Sequence, residues 1–184
     1  MRDFLLDTQT IHYWYNKDCA QHQAIIGNVE ALIQQSSSIS PKPKLLVSVI
    51  TLGEIAFGHR VQGNGWSMQN AAKFTFVREN LPGSLEITED AVAAYADIRA
   101  RVFNRNAPGN MRKPGMRPEQ LVDPLTSLAL TIQENDLWLC AQAVGHGMVL
   151  VTNDRMRAIR EVTRNMAPNL KIQNWTVAGT AALE

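Results

Sequence analysis

The stretch that most constrains this chain is residues 135–154, NDLWLCAQAVGHGMVLVTND. It reads as an acidic helix start, an apolar helix, a turn at Gly145 and Gly147, and a short apolar run that stops at a second acid. Leu137, Leu139, Cys140, Ala141, Ala143 and Val144 are too apolar for a helix with a broad solvated face. The Val-rich run at 148–151, bounded by glycines, has the pattern of a strand buried on both faces, which is the habit of parallel sheets. Open parallel sheets bind ligands outside the carboxyl ends of their strands, and Asp154 stands at such an end. What matters in the remaining chain is how many further acids it brings to that edge.

Taken in order, Phe4, Leu5 and Leu6 form a minimal strand that ends on Asp7-Thr8, a pair able to cap a following helix. Between residues 20 and 37, Ile25, Val29, Leu32 and Ile33 recur at helical spacing. KLLVSV at 44–49 is a second buried strand, and the helix after it carries Thr51 near its start and Glu54 about a turn in. Gly53 and Gly58 there predict close packing against a neighbour. Helices are predicted over 66–80, with Ala71, Phe74 and Val77 inward, over 89–103, with Val92, Tyr95, Ala96, Val102 and Phe103 on the apolar side, and over 121–132. A short strand is predicted at 85–88, a basic helix with Arg155, Arg157, Arg160 and Arg164 after Asp154, and a closing strand at 170–175. Strand and helix alternate throughout, which predicts an α/β sandwich around a central, mainly parallel sheet. At 184 residues the chain reads as one domain over 1–175, with a basic arm inserted at about 104–118 and a C-terminal tail at 176–184.

That topology gathers Asp7, Glu54 and Asp154 at one sheet edge, with Asp136 opening the helix that feeds the last of these strands. Each acid alone reads equally as a helix cap or a solvated residue. Four together would repel one another and raise some pKa values unless a cation neutralised them. Carboxylate oxygens suit Mg²⁺ or Mn²⁺, whereas Zn²⁺ would want His or Cys, and His12, His22, His59 and His146 show no metal-ligand spacing. A carboxylate-held metal site is suited to phosphodiester hydrolysis. Thr8, Thr152 and Asn153 are placed to orient the acids by hydrogen bonds, although Thr beside a strand is also an ordinary packing residue.

Eighteen basic against seventeen acidic residues neither demand nor exclude a nucleic acid, so clustering must decide. From Arg99 to Pro118 there are six basic residues and no acid, and Arg112, Lys113, Arg117 and, further on, Arg157 are candidate RNA contacts. A charged arm also serves solubility alone. Cys19 and Cys140 are too dissimilar in setting for a disulfide framework, which fits a reducing cytosol, and no run of about 18 apolar residues predicts a membrane span.

In order and spacing, LLDT at the amino end, SVITLGEIAFG, NDLWLCAQA and VLVTND resemble the four motifs of PIN-domain ribonucleases, and most closely the VapC-type toxins of VapBC toxin-antitoxin pairs. The resemblance runs from Phe4 to Trp175. It implies a three-layer α/β/α fold and an acidic Mg²⁺ or Mn²⁺ site made by Asp7, Glu54, Asp136 and Asp154. It further implies endonucleolytic cleavage of RNA, a small VapB-like antitoxin as partner, a homodimer, and a cytoplasmic location. The chain departs from the pattern at Gln9, at Gln133-Glu134 and at Trp138-Leu139-Cys140, and its arm is longer than the family's. Two competing expectations are a catalytically silent RNA-binding module of the same fold and a Mg²⁺-dependent phosphatase. The latter would want an acid where Gln9 stands.

Overall fold

The computed structural model describes residues 2–61, 68–81, 83–166 and 168–183, which fall into two compact units. The first comprises Met1–Glu86, Met148–Asp154 and Ile172–Glu184, and the second Ile87–Gly147 and Arg155–Lys171. The expected helix start at residue 66 and the side chains of His59 and Ala71 lie outside the described residues.

The first unit is built on the sheet. Its strands are β1 (Phe4–Leu6), β2 (Leu45–Ser48), β3 (Ser84–Leu85), β4 (Val149–Val151) and β5 (Lys171–Gln173), in spatial order β3-β2-β1-β4-β5. β1 pairs in parallel with β2 and β4, and β2 with β3, in a register that sets Leu6 beside Val47 and Val151. All three residues of β1 and of β4 are buried, as strands without polar alternation require. Phe4, Leu6, Val47, Val149 and Val151 share one core with Ile11 and Trp14 of α1 (Thr8–Tyr15) and with Ile25, Val29 and Leu32 of α2 (His22–Gln35). Ile55 of α3 (Val49–Val61) and Val77 of α4 (Met68–Asn80) complete it. Ile33 stands about 80° round α2 from Ile25 and is exposed.

One expectation fails in this unit. Among the described residues nothing lies within 4 Å of where a Cβ would stand on Gly53 or Gly58, so neither marks a close approach. The segment beyond residue 175 packs against α2. Asn28, fully buried on α2, donates through Nδ2 to the carbonyls of Trp175 and Val177 at 3.0 and 2.8 Å, and its Oδ1 accepts from the N–H groups of Thr180 and Ala181. Trp175 is buried against Phe4 with ring centroids 5.5 Å apart, and Ala181 joins the core.

The second unit is helical. α5 (Glu89–Asn106) begins at Thr88, whose hydroxyl accepts from Ala91 N, and carries Glu89 and Asp90 in its first turn, where acids complement the free N–H groups. Its buried positions are Ala91, Ile98, Val102, Phe103 and Asn106; Val92 is exposed, and the helix runs three residues into the expected arm. The arm then folds through two single 3-10 turns, Gly109–Met111 and Pro118–Gln120. α6 (Glu134–Gly145) packs on α5 so closely that a Cβ on Gly145 would lie 2.9 Å from the Asp90 carbonyl carbon. Gly147, at φ +63°, turns the chain out of α6. α7 (Arg157–Thr163) is the basic helix after Asp154.

Residues 121–132 are not helical. Pro124 disfavours helical backbone at Asp123, and the Asp123 carboxylate captures the N–H groups of Leu125 and Thr126 at 2.8 and 3.0 Å. Val122 bridges Ala129 in antiparallel fashion, leaving Leu125 and Leu128 exposed at the tip.

Candidate functional site

Asp7 follows β1 directly and is the N-cap of α1, its Oδ1 accepting from Thr10 N at 2.6 Å. Its own N–H donates to Val151 O, as does the Thr10 hydroxyl, so the end of β1 is tied to the end of β4. Thr152, the next residue after β4, is buried and hydrogen-bonded to the Asp7 side chain. Burial pushes the Asp7 carboxyl above its ordinary range, against the hydrogen bonds from Thr10 and Thr152, and the nearby charge of Glu54 pushes the same way. Sequence reasoning expected acid repulsion to be the cause; burial is the larger one, because Asp7 sits where three strands' apolar ends converge.

Glu54, in the second turn of α3 after β2, is half-buried, and the Thr8 hydroxyl donates to its Oε2. The carboxyl edge of the sheet thus brings together Asp7, Thr8, Thr10, Glu54 and Thr152. Thr10 was not anticipated, although a Thr three residues after a capping acid is a legible signal. Asp154 lies two residues beyond Thr152, is exposed, and its N–H donates to the Thr152 hydroxyl at 3.0 Å. Asn153 turns instead to the C-terminal segment, its Oδ1 accepting from Asn174 Nδ2 and the Thr176 hydroxyl.

Asp136 belongs to the second unit, where it is the third residue of α6 and its Oδ2 accepts from Gln133 N in a capping box. Among the described residues no group of three or more His, Cys, Asp or Glu side chains is disposed to hold a metal ion. Asp7 and Glu54 nonetheless suit a hard cation chemically. Mg²⁺ keeps several waters and is commonly bound through one or two carboxylates together with substrate phosphate.

Of the basic residues, Arg112 and Lys113 line a concavity of about 500 Å³ with Phe103, Gly109, Pro114, Gly115 and Met116. Arg157 lies elsewhere in the second unit, in a cavity of about 680 Å³ that it shares with Arg105, Asp123 and Glu161. Glu161 pairs with both arginines, at 2.7 Å to Arg105 and 3.6 Å to Arg157. Two cations against two carboxylates make that cavity a weak attractor for phosphate.

A parallel sheet of order β3-β2-β1-β4-β5, with acids following β1, β2 and β4, defines an α/β protein whose ligand edge is acidic. The PIN-domain family model matches residues 4–164, and the chain belongs to that family of three-layer α/β/α proteins, whose toxin members are generally nucleases. Solved structures of similar fold include VapBC2 from Rickettsia felis bound to a DNA fragment from its promoter, 21% identical over 94% of this chain and 98% of that chain, with a TM-score of 0.60. DNA-bound VapBC from Salmonella typhimurium is 19% identical over 95% and 99% of the two chains, with a TM-score of 0.55. VapBC-1 from nontypeable Haemophilus influenzae is 20% identical over 94% and 98%, with a TM-score of 0.58. No curated protein matches the chain.

Proposed function

We propose that the chain is a divalent-metal-dependent endoribonuclease, the toxin of a type II toxin-antitoxin pair, with Asp7, Glu54, Asp136 and Asp154 as its working acids. The observation that carries this reading is the buried Asp7 carboxyl beside Glu54 at the carboxyl edge of a parallel sheet, in a chain of the PIN-domain family. Asp154 enters as the next acid along the same edge, and Asp136 enters through its motif alone.

Asp7 and Glu54 would hold Mg²⁺ or Mn²⁺. So held, the cation would supply Lewis-acid activation and offset charge on the phosphate undergoing hydrolysis. The chain's own residues prepare that site. The Thr10 N–H and Thr152 hold the Asp7 carboxyl in one orientation, and Thr8 fixes Glu54. Asp7 must give up its proton to bind a cation, so its raised pKa couples metal uptake to pH. The VapBC assemblies support a VapB-like antitoxin as the partner, and a homodimer and a cytoplasmic setting complete the reading as what the resemblance to VapC-type toxins implies. Among the described residues no helix is long and apolar enough to cross a membrane.

The test is incubation of antitoxin-free protein with total RNA, tRNA included, in Mg²⁺, Mn²⁺ or EDTA, beside Asp7→Asn. Discrete fragments that need metal and vanish in the variant are expected. Intact RNA at every metal concentration, from a folded protein, would turn the reading toward the silent RNA-binding module.

A further inference from the structure

Glu134 and Trp138 stand one turn apart on α6, and Tyr95, Arg99 and Phe103 stand one turn apart on α5, so each set shares a helix face. Where the two faces meet, the rings of Tyr95 and Trp138 stack at 3.8 Å between centroids and 6° between planes. The Tyr95 hydroxyl donates to Glu134 and accepts from Arg99 Nη1 at 2.5 Å, which holds the ring in place. The Arg99 guanidinium lies 5.6 Å from the Tyr95 ring centre and 5.5 Å from that of Phe103, and the Arg112 guanidinium lies 5.7 Å from Phe103. Trp138, Tyr95, Arg99, Phe103 and Arg112 therefore follow one another in a row of ring and guanidinium contacts. It ends at the concavity walled by Arg112 and Lys113. Among the described residues neither of those two cations makes an ion pair.

From this arrangement we propose that the second unit carries a binding track for single-stranded RNA. The half-buried Trp138–Tyr95 pair stacks a base, and Arg112 and Lys113 take backbone phosphate. Fixed aromatic platforms beside unpaired cations are what sequence-tolerant single-strand binding requires. Steps of four residues along α5 advance about 6 Å each, which spreads the contacts along an extended strand rather than round a point ligand. Arg99 acts as a positioning residue, since Glu134 at 3.3 Å offsets its charge while its guanidinium spans the two rings. Trp138 is about 200° round α6 from Asp136, so the track lies on a different face of that helix from this acid. The choice of RNA as occupant rests on the nuclease reading.

The 184-residue chain in EDTA, where cleavage is suppressed, is titrated against fluorescein-labelled 12-nucleotide single-stranded RNA over a salt series, with the matching duplex as comparator. Trp138→Ala should weaken binding about tenfold with little change in salt slope, and Trp138→Phe should restore most of it. Arg112→Gln with Lys113→Gln should weaken it by a similar factor and lower the slope of log K against log salt by about 1.4. Arg101→Gln removes a cation paired with Asp97 off the track and should bind as the parent does. Track variants that bind like the parent, an equal loss in Arg101→Gln, or duplex bound as tightly as single strand would each overturn the track. If the track variants lose RNA but the parent never cleaves with metal, the track stands and the nuclease reading falls. If the parent cleaves with metal and the track variants bind RNA as it does, the nuclease reading stands and the track falls.

Discussion

Asp7 serves two demands at once, a helix cap and a buried carboxyl, and the two separate on substitution. Asparagine keeps an oxygen for Thr10 N and removes the charge that burial disfavours, so Asp7→Asn should leave the metal-free protein as stable as the parent or more so, while abolishing cleavage. Asp7→Ala loses the cap and should cost about 1 kcal/mol, a fall of about 2–4 °C in melting temperature for a chain of this size. An equal loss in both variants, measured by thermal melting in EDTA, would refute the account of Asp7 as a penalised charge. At this scale the acids were legible because each closely follows an apolar run or opens a helix. That Asp7 and Glu54 meet at one sheet edge was legible as well, but their individual hydrogen-bond partners were not. Thr8 bonding to Glu54, 46 residues away, and Thr152 meeting Asp7 depend on strand pairing, which no local pattern encodes.

Single elements show where local chemistry overrides periodicity. Residues 121–132 have helical spacing of apolar residues, yet one proline and one Asx turn redirect the backbone into a bridge. Gly147 turns the chain as expected, whereas the close approach falls at Gly145 and not at Gly53 or Gly58. Gly58, exposed in α3 with nothing near its would-be Cβ, should tolerate alanine with a gain of about 0.5–1 kcal/mol from reduced unfolded-state freedom. Gly145→Ala, which drives a Cβ into the Asp90 backbone, should cost about 1–3 kcal/mol. Urea unfolding of the two variants side by side checks the sign of each. Asn28 is the clip between α2 and the C-terminal segment, and Asn28→Leu leaves four backbone groups in that segment without their partner. A loss on the order of 3 kcal/mol is expected, with earlier proteolysis after Trp175. Unchanged stability would mean the segment's docking rests on Trp175 and Ala181 alone.

For the whole molecule, the raised pKa of Asp7 sets a direction for stability against pH. Between the ordinary carboxyl value of 3.8 and the raised native value, the native state holds more protons than the unfolded chain. The contribution is therefore present at low pH and lost as pH rises through that window. A cation competes with the same proton, so the melting temperature gained from millimolar Mg²⁺ or Mn²⁺ should grow as pH rises and be absent from Asp7→Asn. Calorimetry of both proteins across pH, with metal and with EDTA, gives the answer, and a gain independent of pH or of Asp7 would remove the cation from that site. The sequence by itself determined the alternation of strand and helix, the burial of β1 and β4 and the acids at the strand ends, because side-chain hydrophobicity, strand periodicity and capping act over a few residues. Only the tertiary structure decided that the chain divides into two units, that residues beyond 175 belong to the core through Asn28, and that Trp138 stacks on a Tyr95 held by Arg99. Those outcomes arise from partners far apart along the chain, whose energies exist only once the backbone between them has been placed.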